Sequence, residues 1–180
     1  IDNLTMEETL QAIDKLIHEN NNAYVVTPNV DHIVQLEKNE ELQKVYRNAD
    51  LVVTDGKPLM WISRWYKTPI KEKISGSDLF PQLCKMAAEK KYRMYFLGAA
   101  EGVAVKAAEN LMKRYPGLKV VGTYSPPFNF EKDEVDKTIE AAVKTEELDT
   151  KVKKERVNIH MPGIDALNGK YEANNSRFKK

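Results

Sequence analysis

Apolar residues in this chain recur with two alternating periods. Thr5-Met6-Glu7-Glu8 sets a hydroxyl three residues ahead of a carboxylate, the signature of a helix N-terminal capping box. Leu10, Ile13, Leu16 and Ile17 then follow at helical spacing, up to the Asn20-Asn21-Asn22 run. Ala23-Tyr24-Val25-Val26 is a short apolar run of the kind found in buried strands, and Thr27-Pro28-Asn29 stops it. A helical pattern resumes with Val30, Ile33, Val34 and Leu36, and Asn39 caps a continuation through Leu42 and Val45. Leu51-Val52-Val53 reads as a second buried strand, closed by Thr54-Asp55-Gly56, and Leu59 to Trp65 as a helix.

After the break at Thr68-Pro69, Ser77 is expected to cap a helix carrying Leu79, Phe80, Leu83, Met86 and Ala87, with Pro81 tolerated in its first turn. Met94 to Leu97 is a strand ending in Gly98-Ala99-Ala100, and Glu101 to Tyr115 a helix stopped by Pro116-Gly117. Leu118 to Val121 is the next strand, turning at Gly122-Thr123. Lys132 to about Leu148 reads as a helix with a weak apolar face. Short apolar strands alternating with amphipathic helices predict an α/β fold, a parallel sheet flanked by helices. Beyond Ala142 the periodicity fades and breakers accumulate. The organisation expected is therefore a domain over residues 1–142 and an irregular appendage over 143–180, in which Val157 to His160 is the one strand-like run.

Composition narrows the classes. The chain has 180 residues, 42% hydrophobic and 31% charged, which suits a globular domain and not a disordered one. Mean hydropathy is −0.56, and no apolar run nears the roughly 18 residues of a membrane span. Lys and Arg number 28 against 27 Asp and Glu, so no global field attracts nucleic acid. The basic run Lys151 to Arg156 also holds Glu155 and reads as a solvated helix face. The single cysteine, Cys84, excludes an intramolecular disulfide and reads as a small core residue. His18, His32 and His160 lack metal-ligand spacing. The chain opens on Ile1 and shows no signal peptide, so a natural start upstream is expected.

In a parallel sheet, ligands gather beyond the carboxyl ends of the strands. Turns at Thr27-Pro28-Asn29, Thr54-Asp55-Gly56, Gly98-Ala99-Ala100 and Gly122-Thr123 would share one rim if all strands ran in one sheet. Asp55 is either an ordinary Asp-Gly turn residue or a carboxylate able to take a proton from an attacking hydroxyl. Thr27 and Asn29 either bind a sugar or phosphate, or Asn29 simply caps the next helix. Lys73, ahead of Ile74-Ser75-Gly76-Ser77-Asp78, is either a solvated cation or a neutraliser of a diphosphate. The glycine turn at Gly98 matches neither GxGxxG nor a P-loop, which disfavours a dinucleotide oxidoreductase. Trp61, Trp65 and Tyr66 suit a core or a self-association surface better than a base-stacking platform.

Taken together, five stretches resemble the WecG/TagA/CpsF glycosyltransferase family over about residues 1–140. They are Thr27-Pro28-Asn29-Val30-Asp31, Ala49 to Gly56, Lys73 to Leu79, Tyr95 to Ala104, and Tyr115 to Leu118 followed by Val121 to Phe128. The resemblance implies a Rossmann-like α/β domain. It implies inverting transfer of an N-acetylmannosamine-type sugar from a UDP donor to undecaprenyl-diphosphate-linked N-acetylglucosamine, for teichoic acid or other surface polysaccharide. It implies no metal and no cofactor beyond the donor substrate, and a peripheral place on the cytoplasmic face of the cell membrane. Asp55 matches the family's proposed base. Thr27, Asn29 and Gly56 match the surrounding polar turns. Gly98, Ala99 and Ala100 match the turn near the donor nucleotide, and Thr123 and Pro127 match a loop near the uracil. Lys73 stands where many members carry arginine.

The family's later Gly-x-Pro-x-Gln-Glu motif is not found between Thr145 and His160, nor is its Arg-rich aromatic C-terminal segment. These departures lead to the expectation of an incomplete donor site. They keep a second reading open, a non-catalytic nucleotide-sugar-binding or assembly module.

Overall fold

The computed structural model describes residues 1–19, 22–126 and 156–160, and the statements below concern those residues. In chain order the elements are α1 (Met6–Glu19), β1 (Asn22–Val26), α2 (Val30–Leu36), α3 (Glu40–Arg47), β2 (Leu51–Val52), α4 (Lys57–Trp65), α5 (Gly76–Lys90), β3 (Arg93–Leu97), α6 (Val103–Arg114), β4 (Lys119–Tyr124) and β5 (Arg156–His160). The chain divides into two compact units, with the boundary inside α5 between Leu83 and Cys84, and β5 belongs to the first.

The first unit is built on a three-stranded parallel sheet in the order β2-β1-β5. The connection from β1 to β2 runs through α2 and α3, the crossover that parallel pairing demands. Val25 and Val26 sit opposite Leu51 and Val52 on one side, and opposite Ile159 and His160 on the other. A strand with neighbours on both sides is a natural place for the unbroken apolar run read in the sequence, and Ala23, Val25 and Val26 are buried. Ile13 of α1 joins them in the core. The predicted capping box holds α1 in place: Glu8 N–H donates to Thr5 Oγ1 at 3.2 Å, and Thr5 N–H donates to Glu8 Oε2 at 2.7 Å.

The second unit holds β3 and β4, a parallel pair joined by α6, which packs on both strands. Cys84 is fully buried in α5, and burial pushes its thiol up to about 11, so it is an inert core group as the sequence suggests.

Four expectations need correcting. The strands form two small parallel sheets rather than one, because β3 pairs only with β4 among the described residues. Ser75, not Ser77, precedes the first residue of α5: the N–H of Leu79 donates to the Ser75 carbonyl at 2.9 Å. Pro81 therefore lies in the second turn, where its ring removes one helical donor. Gly122 and Thr123 lie inside β4 opposite Tyr95 and Phe96, since an irregularity after Met94 lets the pairing run on to Tyr124. The predicted helix from Lys132 lies outside the described residues.

No described helix is long and apolar enough to cross a membrane. α4 buries only Leu59 and Ser63, leaving Trp61, Trp65 and Tyr66 exposed rather than in the core.

Candidate active site

The first unit brings Thr27, Asn29, Asp55, Gly56 and Lys73 to the carboxyl ends of β1 and β2. The parallel ladder continues past the regular strands. Val53 N–H donates to the Val26 carbonyl at 3.0 Å, and Asp55 N–H donates to the Pro28 carbonyl at 2.9 Å. These two bonds clamp Asp55 beside the Thr27-Pro28-Asn29 turn. A third bond, from Ile74 N–H to the Thr54 carbonyl at 2.8 Å, ties the segment after Lys73 to the same strand end. Thr27, Pro28, Thr54 and Ser75 are buried, so the floor of the site is rigid.

Asn29 caps α2. Its Oδ1 accepts from His32 N–H at 3.0 Å, while its own N–H donates to His32 Nδ1 at 3.3 Å. The cap uses only the oxygen. The Nδ2 amide donates to nothing among the described residues, so capping and ligand recognition are compatible here. The imidazole of His32 also lies 6.2 Å from the ring of Tyr46, centroid to centroid.

Lys73 enters a compact polar network. Its Nζ stands 2.6 Å from Asp78 Oδ2 and 3.0 Å from Ser75 Oγ. The Ser75 hydroxyl donates to the same Asp78 oxygen at 2.5 Å and lies 3.0 Å from Ser77 Oγ. Lys73 and Ser75 together hold the Asp78 carboxyl below its ordinary value.

Asp55 is half-buried and behaves in the opposite way. Burial raises its carboxyl above the ordinary aspartate value. Lys73 pulls it down, Asp78 pushes it up and His32 pulls it down, but loss of solvent dominates. The result is a carboxylate that is a better proton acceptor than a solvated one, held beside one cation and two hydrogen-bonding turns. Gly56 serves the backbone: its φ of +106° turns the chain from the strand end into α4, a conformation that favours glycine.

The second unit carries the other predicted residues. Gly98 and Ala99 have φ of +114° and +65°, and Gly98 N–H donates to the Tyr124 carbonyl at 2.9 Å. Ser125 Oγ donates to the Ala100 carbonyl at 3.3 Å. A Cβ added at Gly98 or Gly102 would meet nothing within 4 Å among the described residues. Thr123 sits in β4, and Pro127 lies outside the described residues.

Sequence reasoning overlooked His32, Ser75 and the buried Thr54. The Asn29–His32 spacing is itself a capping signature, and Ser75 stands two residues from Lys73, so both were readable as local contacts. A mainly apolar cavity of about 400 Å³ is lined by Pro28, Ile33, Leu36, Tyr46 and Val52 among others, and includes none of the predicted site residues.

Comparison with known proteins gives a consistent result. A family model described as the glycosyl transferase WecG/TagA/CpsF family matches residues 1–149. An N-acetylglucosaminyldiphosphoundecaprenol N-acetyl-beta-D-mannosaminyltransferase of Bacillus spizizenii is 30% identical over 126 residues, covering 70% of this chain and 49% of that protein. The protein of the same name from Staphylococcus aureus strain NCTC 8325 is 26% identical over 119 residues, 65% of this chain and 47% of its own. The chain thus spans about half the length of the curated relatives it matches.

Proposed function

The chain belongs to the WecG/TagA/CpsF glycosyltransferase family, and from that premise we propose that it transfers an N-acetylmannosamine-type sugar from a UDP donor to N-acetylglucosamine on an undecaprenyl diphosphate carrier. The names of the relatives supply the sugar and the acceptor. The observation that carries the chemistry is Asp55, a half-buried carboxylate with raised proton affinity fixed where two parallel strands end.

In this reading the Asp55 carboxylate takes the proton of the acceptor hydroxyl. The freed oxygen attacks the anomeric carbon of the donor from the face opposite the nucleotide. One carbon–oxygen bond forms, the bond to the diphosphate breaks, and UDP leaves with its electron pair, so the configuration inverts. Lys73 supplies positive charge for the departing diphosphate, a role that lysine fills as a point charge and arginine as a fork. The Nδ2 of Asn29 orients a sugar oxygen. The lipid-linked acceptor makes the working place a membrane surface.

The test is calorimetric titration of the chain with UDP, UDP-sugar and NAD, followed by a transfer assay on a lipid-linked N-acetylglucosamine acceptor. UDP and its sugar are expected to bind and NAD not. Failure of UDP to bind removes the proposal, and binding without turnover by the parent chain assigns it to nucleotide-sugar binding alone.

A further inference from the structure

The helix that leaves the candidate site carries a surface that sugar transfer alone does not require. α4 begins at Lys57, directly after Asp55 and Gly56, and turns Leu59 and Ser63 inward. Outward it presents Trp61 at 63% exposure and Trp65 at 87%, with Ile62 and Tyr66 also exposed. These are the only two tryptophans in the chain. Indoles standing together in water mark an interaction surface.

The charges around them are of one sign. Residues 57–71 contain no Asp or Glu, although acids and bases nearly balance over the whole chain. Lys57, Trp61 and Trp65 follow one another at four-residue spacing, so they form a single stripe on the helix, and Arg64 lies beside it. Lys71 is paired with Glu8, but no carboxylate among the described residues pairs with Lys57, Arg64 or Lys67. The turn after the helix is fixed: Ile70 N–H donates to Ser63 Oγ at 3.1 Å and Thr68 N–H to the Ser63 carbonyl at 2.9 Å. Tyr66 and Lys67 are therefore held next to the indoles.

We propose that this face of α4 docks on an anionic lipid surface, with Trp61 and Trp65 at headgroup depth and Lys57, Arg64 and Lys67 against lipid phosphates. Aromatic side chains with a polar tip settle at the membrane–water boundary, and cations near it are drawn to anionic lipid. Charge complementarity favours this occupant over a second copy of the chain. Packing the same face across a two-fold axis would bring the cations of one copy near those of the other, with no carboxylate on residues 57–71 to offset them. The purpose of the docking rests on the lipid-linked acceptor proposed above: α4 starts two residues after Asp55, so lipid held by the helix lies against the same unit as the base.

Because both indoles lie on this face, tryptophan emission of the full chain reads the proposal directly. Vesicles of phosphatidylglycerol without any acceptor are expected to shift the emission to the blue, and phosphatidylcholine vesicles or high salt to suppress the shift. Arg64→Gln with Lys67→Gln is expected to weaken sedimentation with anionic vesicles by roughly tenfold or more. Trp61→Ser with Trp65→Ser is expected to abolish it while leaving UDP titration unchanged. Three results overturn the idea: no shift with anionic vesicles, undiminished sedimentation of the double tryptophan variant, or emission already blue without lipid. In the last case, dependence on protein concentration would identify a second copy as the occupant. Transfer to a detergent-solubilised acceptor needs no vesicle, so loss of docking and loss of the catalytic reading are told apart.

Discussion

Replacing Asp55 by asparagine separates the proposed base from a structural carboxylate. Asparagine keeps the size of the side chain, and the bond from residue 55 N–H to the Pro28 carbonyl is made by the backbone, so it survives. What is lost is the proton acceptor. A positioned general base contributes about 10²–10⁴ in rate, or about 3–5 kcal/mol of activation free energy. Stability should move the other way. Burial raises the folded-state pKa of Asp55, so the folded chain holds that proton more tightly than the unfolded chain. The group favours folding below its unfolded pKa, and this contribution is lost as pH climbs through the folded value. At neutral pH the ionised carboxylate opposes folding, and Asp55→Asn removes that opposition. The assays are transfer at saturating donor and urea unfolding at neutral and acid pH. The variant should lose at least a hundredfold in rate, bind UDP normally and be no less stable at neutral pH. Its advantage over the parent should fade in acid. Retention of a tenth of the rate would rule out the base. Easier unfolding at neutral pH would mean that the carboxylate holds the turn together.

Lys73→Met should move the acid limb of the pH–rate profile to higher pH, because Lys73 now pulls Asp55 down and its loss also leaves Asp78 unneutralised. An unmoved limb would show that Asp55 is not the group titrating. Asn29→Ala should cost about 1 kcal/mol through loss of the α2 cap, read by urea unfolding. Asn29→Ser should recover the stability but not the transfer rate, because serine replaces the capping oxygen and not the Nδ2 donor. Thr54→Val should stabilise the chain by about 1 kcal/mol, because the buried Thr54 Oγ1 has no hydrogen-bond partner among the described residues and valine keeps its shape. Destabilisation in the same urea assay would reveal a partner for that hydroxyl.

Local patterns in the sequence carried the elements well, and long-range pairing set the limit. The Thr5–Glu8 box and the Asn39 cap, whose Oδ1 accepts from Leu42 N–H at 3.0 Å, are both written in four residues. Asp55 was readable as a strand-end carboxylate because an apolar run stops just before it. The choice of partner strand was not readable. An apolar run such as Met94 to Leu97 announces a strand, but nothing in it says that β4 will pair with it. The polar alternation of Arg156 to His160 likewise gave no hint that it would lie against the buried β1. Two serines flank Gly76, and only the reach of Leu79 N–H to Ser75 decides which one precedes the helix. The apposition of His32 and Lys73 with Asp55 depends on three segments meeting, which no local pattern encodes.

Unfavourable local features give an argument for the site that does not depend on resemblance. Two consecutive residues each break an ordinary rule: Thr54 buries a hydroxyl with no partner among the described residues, and Asp55 holds a desolvated carboxylate. They sit between backbone bonds that leave the segment little freedom, from Val53 to Val26, from Asp55 to Pro28 and from Ile74 to Thr54. A turn selected only for stability would place a solvated aspartate here and a partnered threonine. The second unit repeats the pattern at Ala99. Of the three non-glycine residues with positive φ among the described residues, Lys67 and Lys91 follow the ends of α4 and α5, where a left-handed residue is common. Ala99 follows a strand instead. Departures from local preference, tolerated because their surroundings fix them, concentrate where a fold has been shaped to meet something other than itself.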